Sequence, residues 1–199
     1  MNTIPGSYSH LANAMEGTCY VYVQGITPAD VIARLGARAE KFTSMTQSDF
    51  FNTSFASPST SDRFIAATAI GDWTLLVDPG GSLGMAEEVI MPLSAGTRLV
   101  SHFFLSVKAI DYFFWIENSE LRFCFIAQEG YAPDVPDELA DTMAVVDSVY
   151  PDADPHEGPM FILAEELTGI TMTPQLLEES TYLCGAVPSP HSEELPSPW

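Results

Sequence analysis

A glycine-containing segment that follows an apolar stretch is the first place where this sequence could perform chemistry. The segment DWTLLVDPGGSLG, residues 72–84, passes from apolar residues through three glycines into the helix-prone MAEEV. Phosphate-binding loops have this order, but they use the spacings G-x-x-x-x-G-K-[ST] or G-x-G-x-x-G. Here the spacing is G-G-x-x-G, the nearest lysine is Lys108, and Asp78 would repel a phosphate. We therefore predict a turn at Pro79-Gly80 that leads into a short helix, and no nucleotide site.

The histidines and the densest acidic loop offer weaker candidates. The four histidines lack metal-ligand spacing, and we interpret His102, on a predicted strand, as a partly buried, hydrogen-bonded residue. The segment DADPHEG, residues 152–158, partly matches the calcium-loop pattern D-x-[DN]-x-[DN]-G. However, His156 stands where that pattern needs Asp or Asn, and Gly158 comes one residue late. We interpret this segment as a solvated acidic linker and expect no metal and no cofactor.

One candidate pocket could support ligand binding or hydrolysis. It would form behind the turn at residues 78–84 if a carboxylate and a histidine came within hydrogen-bond distance in a concave site. No cysteine–histidine pair has local support, so we assign no catalytic residue. The residues predicted to line this candidate pocket are Trp73, Asp78, His102 and Trp115.

Hydrophobic periodicity and turn residues predict the elements that position these side chains. Strands come in clusters and do not alternate with helices, which favours an α+β fold over a doubly wound parallel sheet. We expect a mainly antiparallel sheet of about five or six strands, helices on one face and a C-terminal helical set. A long surface loop is predicted for residues 43–62. The predicted strands are 18–25, 63–70, 73–77, 97–107, 111–119 and 120–128, and the predicted helices are 28–36, 85–96, 133–149, 160–170 and 173–186.

The length of 199 residues and the hydrophobic fraction of 46% fit one domain with a substantial core. We predict a flexible leader over residues 1–17, a single α+β domain over 18–188 and a flexible tail over 189–199. Within the domain, residues 18–130 form the sheet-rich part and residues 133–188 form an acidic helical part.

The sequence favours a cytoplasmic protein. No apolar run approaches the roughly 20 residues that span a bilayer, and the first residues lack the basic and apolar regions of a signal peptide. Cys19, Cys124 and Cys184 are widely spaced and odd in number, which favours buried free thiols in a reducing compartment. Cys184 is predicted near the end of a helix, where the helix dipole disfavours a thiolate.

The charge distribution is the most unusual property of the sequence. The formal net charge is −20, from 27 acidic and 7 basic residues. Residues 111–199 contain 18 of the acids and a single cation, Arg122. Such a field repels nucleic acids and anionic lipids and attracts cationic proteins. We therefore predict no direct nucleic-acid binding and no membrane binding, and we expect a basic protein partner.

Several segments together resemble an actinobacterial family, of the Streptomyces type, that is known as a domain of unknown function. The segments that carry the resemblance span roughly residues 19–188. No activity, cofactor or catalytic residue is established for that family, so the resemblance implies a fold and a bacterial cytoplasmic origin but no reaction. The segments are YVYVQGITPADVIARLGA, GDWTLLVDPGGSLG, LSAGTRLVSHFF, FFWIENSELRFCF, PDELADTM and LAEELTGITMTPQLLEESTYLCGAVP.

The leading functional hypothesis is a non-enzymatic acidic module that binds a basic protein, as immunity proteins, antitoxins and nucleic-acid-mimic inhibitors do. The alternative is a small-ligand-binding protein or hydrolase that uses the candidate pocket. A binding module should gather its acids on one face beside exposed aromatic residues, whereas acids that serve solubility alone should cover the surface evenly. The candidate partner surface consists of Asp134, Asp137, Glu138, Asp141, Asp147, Asp152, Asp154, Glu157, Glu165, Glu166, Glu178 and Glu179.

Overall fold

A single antiparallel sheet forms the centre of the computed structural model, which describes residues 17–56, 61–81, 83–105, 108, 110–126, 130–132, 134–149, 159–192 and 194–196. Within these ranges the strands are β1 (Cys19–Gln24), β2 (Thr43–Met45), β3 (Asp62–Ile70), β4 (Trp73–Asp78), β5 (Arg98–Leu105), β6 (Ile110–Glu117), β7 (Glu120–Ile126), β8 (Gly130–Ala132) and β9 (Tyr182–Pro188). The strand order is β2-β9-β3-β4-β1-β5-β6-β7-β8, and neighbouring strands are antiparallel.

Six α-helices accompany the sheet in the described residues. None of them is long and apolar enough to cross a membrane. A 3-10 helix, Ala39–Lys41, lies between the first helix and β2. The α-helices are α1 (Pro28–Arg34), α2 (Gln47–Ala56), α3 (Glu87–Leu93), α4 (Asp137–Val149), α5 (Pro159–Thr168) and α6 (Pro174–Glu179).

The predicted α+β class and the antiparallel sheet are confirmed, whereas the predicted number of five or six strands is wrong. All six predicted strands are present, and β2, β8 and β9 are additional. β2 and β8 have three residues each, which is too short for an alternating pattern to be recognised.

The third additional strand, β9, replaces the second half of the helix predicted for residues 173–186. Helix α6 ends at Glu179, and Tyr182–Pro188 inserts between β2 and β3. Cys184 therefore lies in a strand and not near a helix end. It is nevertheless buried and free, as are Cys19 and Cys124, which confirms the predicted state of the thiols. Because β9 completes the sheet, the C-terminal region is not purely helical.

Helices cover both faces of the sheet, so the predicted one-sided arrangement is wrong. On one face, α4 and α5 bury Met143 and Phe161 against strand residues such as Tyr22 and Phe113. On the other face, α1 and α3 pack beside Val21, Phe114 and their neighbours. Strand β6 is buried on both sides, in agreement with its continuous apolar sequence. The sheet is therefore the middle of three layers.

The loop predicted for residues 43–62 contains β2 and α2 instead. Thr46 and Asp49 form a reciprocal cap: the Thr46 Oγ1 accepts the Asp49 N–H at 3.2 Å and donates to the Asp49 carboxylate at 2.8 Å. Phe50 is buried against Phe64 and Tyr182. The serine- and threonine-rich composition concealed a short helix that one cap and one aromatic anchor stabilise.

The described part of the C-terminal tail lies against α3. The Glu88 carboxylate accepts backbone N–H groups from His191 and Ser192, and the Glu87 N–H donates to the Glu194 carbonyl at 2.8 Å. Leu195 packs against the core of that face. These contacts involve four residues of the predicted tail, whereas residues 1–16 of the predicted leader lie outside the described residues.

Candidate functional site

The glycine-containing turn is closed by its own carboxylate. Asp78, at the end of β4, accepts the backbone N–H groups of Gly80 and Leu83 at 2.9 Å each. Burial raises the pKa of Asp78, while these donors and the nearby Arg63 act in the opposite direction. The N–H groups that a phosphate would need are therefore already occupied. The predicted turn into a short helix is confirmed.

Packing leaves no room for a side chain at two of the three glycines of this turn. A Cβ on Gly84 would overlap the Cys19 Sγ and the side chain of Val21, and a Cβ on Gly81 would overlap the ring of Phe103. The Ser101 hydroxyl donates to the Gly84 carbonyl and lies 3.5 Å from the Cys19 Sγ. Gly81 and Gly84 thus reflect close approach between the turn and the sheet.

Of the four residues predicted to line the candidate pocket, Trp73, His102 and Trp115 share one face of the sheet, and Asp78 lies on the other face. Asp78 faces the layer that contains α1 and α3, whereas His102 faces α4 and α5 across the sheet. Trp73 shares the face of His102. Val77 is aligned with His102 across the sheet, and Trp73 lies four residues, or roughly 13 Å, from Val77 along β4. Trp115 donates to Glu117 at 3.3 Å and lies under the Arg98 guanidinium. The sheet therefore separates the predicted acid–base pair.

His102 is the centre of a buried aromatic cluster. Its Nε2 lies 3.2 Å from the Tyr22 hydroxyl, the Tyr20 ring stacks at 5.4 Å, and the Phe161 ring meets it edge-on at 4.8 Å. Burial lowers the pKa of His102 to about 3, so the imidazole is neutral near pH 7. The interpretation of a hydrogen-bonded strand residue is supported, although His102 is fully buried.

Asp111 is a buried carboxyl that the sequence analysis did not single out. Neither of its side-chain oxygens has a hydrogen-bond partner among the described residues. It pairs with Phe104 on β5, two positions along from the His102–Phe113 pair, and faces the same layer. Burial raises its pKa well above the ordinary value of 3.8. The period-two alternation with Phe113 and Trp115 would have revealed an acid on a core face.

Replacing Asp111 by asparagine should raise the free energy of unfolding at pH 8 by about 1–3 kcal/mol relative to the wild type. Because the pKa of Asp111 is raised in the folded state, the protonated carboxyl contributes to the free energy of unfolding below pH 4. This contribution is lost as the pH rises and the carboxyl ionises. Urea denaturation at pH 4 and pH 8 measures the difference, with Asp147→Asn as the exposed control. A wild type with a higher free energy of unfolding than Asp111→Asn at pH 8 would contradict the absence of a partner for the Asp111 carboxylate.

The predicted partner surface falls largely on one helical layer. We define the acidic layer as α4, α5 and α6, which all pack on the face of the sheet that contains His102. These helices contain no lysine or arginine. Asp152, Asp154 and Glu157 lie outside the described residues, and Glu165 is half-buried. The other acids of the predicted surface are exposed: Asp134, Asp137, Glu138, Asp141, Asp147, Glu166, Glu178 and Glu179.

The opposite layer is electrically mixed. The segment from α1 to the 3-10 helix carries Arg34, Arg38 and Lys41 beside Asp30 and Glu40. Arg34 donates to the carbonyls of Leu93 and Ala95 at 2.9 Å each, next to the end of α3. The two faces of the sheet therefore present different charge to the solvent.

One large aromatic side chain is exposed next to the acidic layer. Phe55, on α2, is 75% exposed and is the large hydrophobic residue most open to solvent among the described residues. Its ring stacks on Phe51 at 6.2 Å, and α2 contacts α6. An exposed apolar side chain thus lies on a helix that contacts the acidic layer.

A comparison with protein families gives one match. The model of a family of unknown function (DUF6461) matches residues 8–192. The chain belongs to the DUF6461 family. The matched range contains all nine strands and six helices described above, so the three-layer arrangement is the structure of this DUF6461 domain. This agrees with the resemblance to a domain of unknown function.

No curated protein and no solved structure matches the DUF6461 chain. Family membership supplies neither a reaction nor a site residue. Among the residues that the structure describes, no group of three or more histidine, cysteine, aspartate or glutamate side chains could hold a metal ion. The functional argument therefore depends on the charge and exposure of this chain's own surface.

Proposed function

We propose that this DUF6461 chain is a non-enzymatic binding module whose acidic layer docks onto a basic protein. The observation that carries the proposal is the concentration of exposed carboxylates on α4, α5 and α6, which contain no cation of their own. A cationic partner would be attracted over distances of about a Debye length, near 10 Å at 0.1 M salt.

The arrangement of acids within α4 supports a role beyond solubility. Asp137 and Asp141 are four residues apart, and Glu138 and Asp141 are three apart, so these like charges are neighbours on the exposed helix surface. Each such pair destabilises a helix by about 0.2–0.5 kcal/mol. A basic partner would remove this repulsion, whereas acids needed only for solubility could be spread over both faces.

The exposed aromatic side chain of Phe55 also supports the proposal, because it can form apolar contacts with a partner. Aromatic residues are frequent energetic anchors of protein interfaces, while rim charges mainly increase the association rate and select the partner. An exposed ring on α2 beside α6 combines the two features. The expected partner surface is cationic and contains an apolar recess.

Inhibitors that block a nucleic-acid-binding protein and immunity or antitoxin proteins are the functional classes that fit such a surface. We include in the proposal a cytoplasmic location and an origin in Streptomyces-type bacteria, which follow from the sequence resemblance. Direct nucleic-acid binding is disfavoured by the net charge of −20.

The experiment compares capture from a lysate of the source cells by immobilised wild type and by the triple variant Asp137→Asn/Glu138→Gln/Asp141→Asn. We expect the wild type to retain a basic protein at low salt and to release it in a moderate salt gradient. The triple variant should retain at least about tenfold less of the same protein, since three steering charges are lost. Phe55→Ser should weaken retention without changing the salt dependence.

The matched control is Glu40→Gln/Asp72→Asn/Glu120→Gln, which removes three exposed acids outside the acidic layer. It should retain the partner as the wild type does. Equal losses in both triple variants would show attraction by net charge alone, and capture of no basic protein by the wild type would reject the proposal. Thermal unfolding confirms that the acidic-layer variant folds, because removing like charges from α4 should not destabilise it.

A further inference from the structure

A concavity lies on the mixed-charge side of the molecule, beside the part of β9 that β2 does not pair with. β2 pairs with β9 only over Tyr182–Cys184, while β9 continues to Pro188. The chain from Gly36 to Phe42 stands beside this uncovered part of β9 and leaves a cavity of about 420 Å³. We call it the basic concavity. It is lined by Gly36, Ala37, Arg38, Lys41, Phe42, Asp62 and Ala186–Pro188.

Arg38 and Lys41 are the two cations that line this concavity. Of the seven basic residues, Arg34 binds carbonyls and Arg98 is paired with Glu117 at 2.5 Å. Among the described residues, the exposed side chains of Arg38 and Lys41 have no hydrogen bond or ion pair. In a chain with 27 acids, two unpaired cations that face one small space repel each other, and an anion between them would remove that repulsion.

We propose that the basic concavity binds a small molecule that carries a phosphate group. A guanidinium offers a planar pair of donors that matches phosphate oxygens, and an ammonium supplies a compact second charge. The half-buried Phe42 ring, which covers Gly185, provides an apolar wall for the body of the ligand.

The volume of the basic concavity and the net charge of the protein both favour a small ligand. A cavity of about 420 Å³ lies within the range of small-molecule sites. A polyanion such as nucleic acid, or the acidic layer of a second copy, would meet the repulsion of a net charge of −20. This site is on the opposite side of the sheet from the acidic layer and does not depend on the proposed function.

The test is a titration of the ¹⁵N-labelled full chain with inorganic phosphate, with ionic strength held constant by chloride. We expect saturable shifts of the backbone amides of residues 36–42, 61–62 and 185–187, with a dissociation constant of the order of millimolar. Arg38→Ala/Lys41→Ala should weaken binding by at least about tenfold. The matched control is Arg122→Ala, an exposed cation on β7 that should leave the constant within about twofold.

Shifts that persist in Arg38→Ala/Lys41→Ala would overturn the proposal, as would an equal loss in Arg122→Ala. A parallel titration with succinate separates phosphate recognition from general attraction of a dianion. Binding of succinate as tight as that of phosphate would overturn the assignment to a phosphate group. Because both substituted side chains are exposed, the variants should keep the amide spectrum of the wild-type fold elsewhere.

Discussion

Acidification should destabilise the wild type through His102, with the free energy of unfolding falling by up to about 1.4 kcal/mol for each pH unit below 6.5. The pKa of His102 is about 3 in the folded chain and near 6.5 when exposed. Between these values the unfolded chain binds a proton that the folded chain does not. The stabilising contribution of the neutral ring is therefore complete above pH 6.5 and is lost as the pH falls toward 3.

The variant His102→Gln isolates this effect. Glutamine can keep a hydrogen bond to the Tyr22 hydroxyl but does not titrate, so its stability should depend less steeply on pH than that of the wild type. Urea denaturation at pH 7.5, 6.5, 5.5 and 4.5 measures the two curves. His191→Gln is the control, since that side chain is 95% exposed. Parallel curves for wild type and His102→Gln would contradict the burial of a neutral imidazole.

Substituting Gly84 by alanine should destabilise the chain by about 1–3 kcal/mol, because the added methyl group overpacks a filled core. The obstacles are the Cys19 Sγ and the Val21 side chain on the central strand β1, which cannot move without displacing the sheet. Chemical denaturation with both variants, Gly84→Ala and Gly80→Ala, measures the effect.

Gly80→Ala is the matched control within the same turn. Its Cβ would meet chiefly the guanidinium of Arg63, the far end of a flexible side chain, so the expected loss is below about 1 kcal/mol. Equal effects at both positions would contradict close packing against Cys19 and Val21 as the cause of the loss at Gly84.

Local signals in the sequence predicted much of the fold. Thr27 caps α1 by accepting the Asp30 N–H, and Pro28 opens the helix, as their order indicates. The turn at Gly71-Asp72 joins β3 and β4. These features depend on neighbours in the chain, so a single sequence contains the information. The cap at Thr46 was equally local and was missed among serines and threonines.

Asp78 and His102 lie on opposite faces of the sheet for a reason that local sequence does not contain. Whether Asp78 and His102 share a face depends on the register of β4, β1 and β5, and a shift of one residue moves a side chain to the opposite face. The sequence predicted these three strands but not the register between them. The same reason explains why Arg38 and Lys41 were not recognised as a pair beside β9.

The sequence by itself determined the uneven distribution of charge, the antiparallel character of the sheet and the turn after β4, because composition, alternation and turn residues are properties of contiguous residues. Only the tertiary structure decided that helices cover both faces, that β9 inserts between β2 and β3, and that the carboxylates of α4, α5 and α6 share one layer. These outcomes depend on which distant segments pack together and exclude water. The hydrophobic effect is not directional, so an apolar segment does not by itself specify its packing partner.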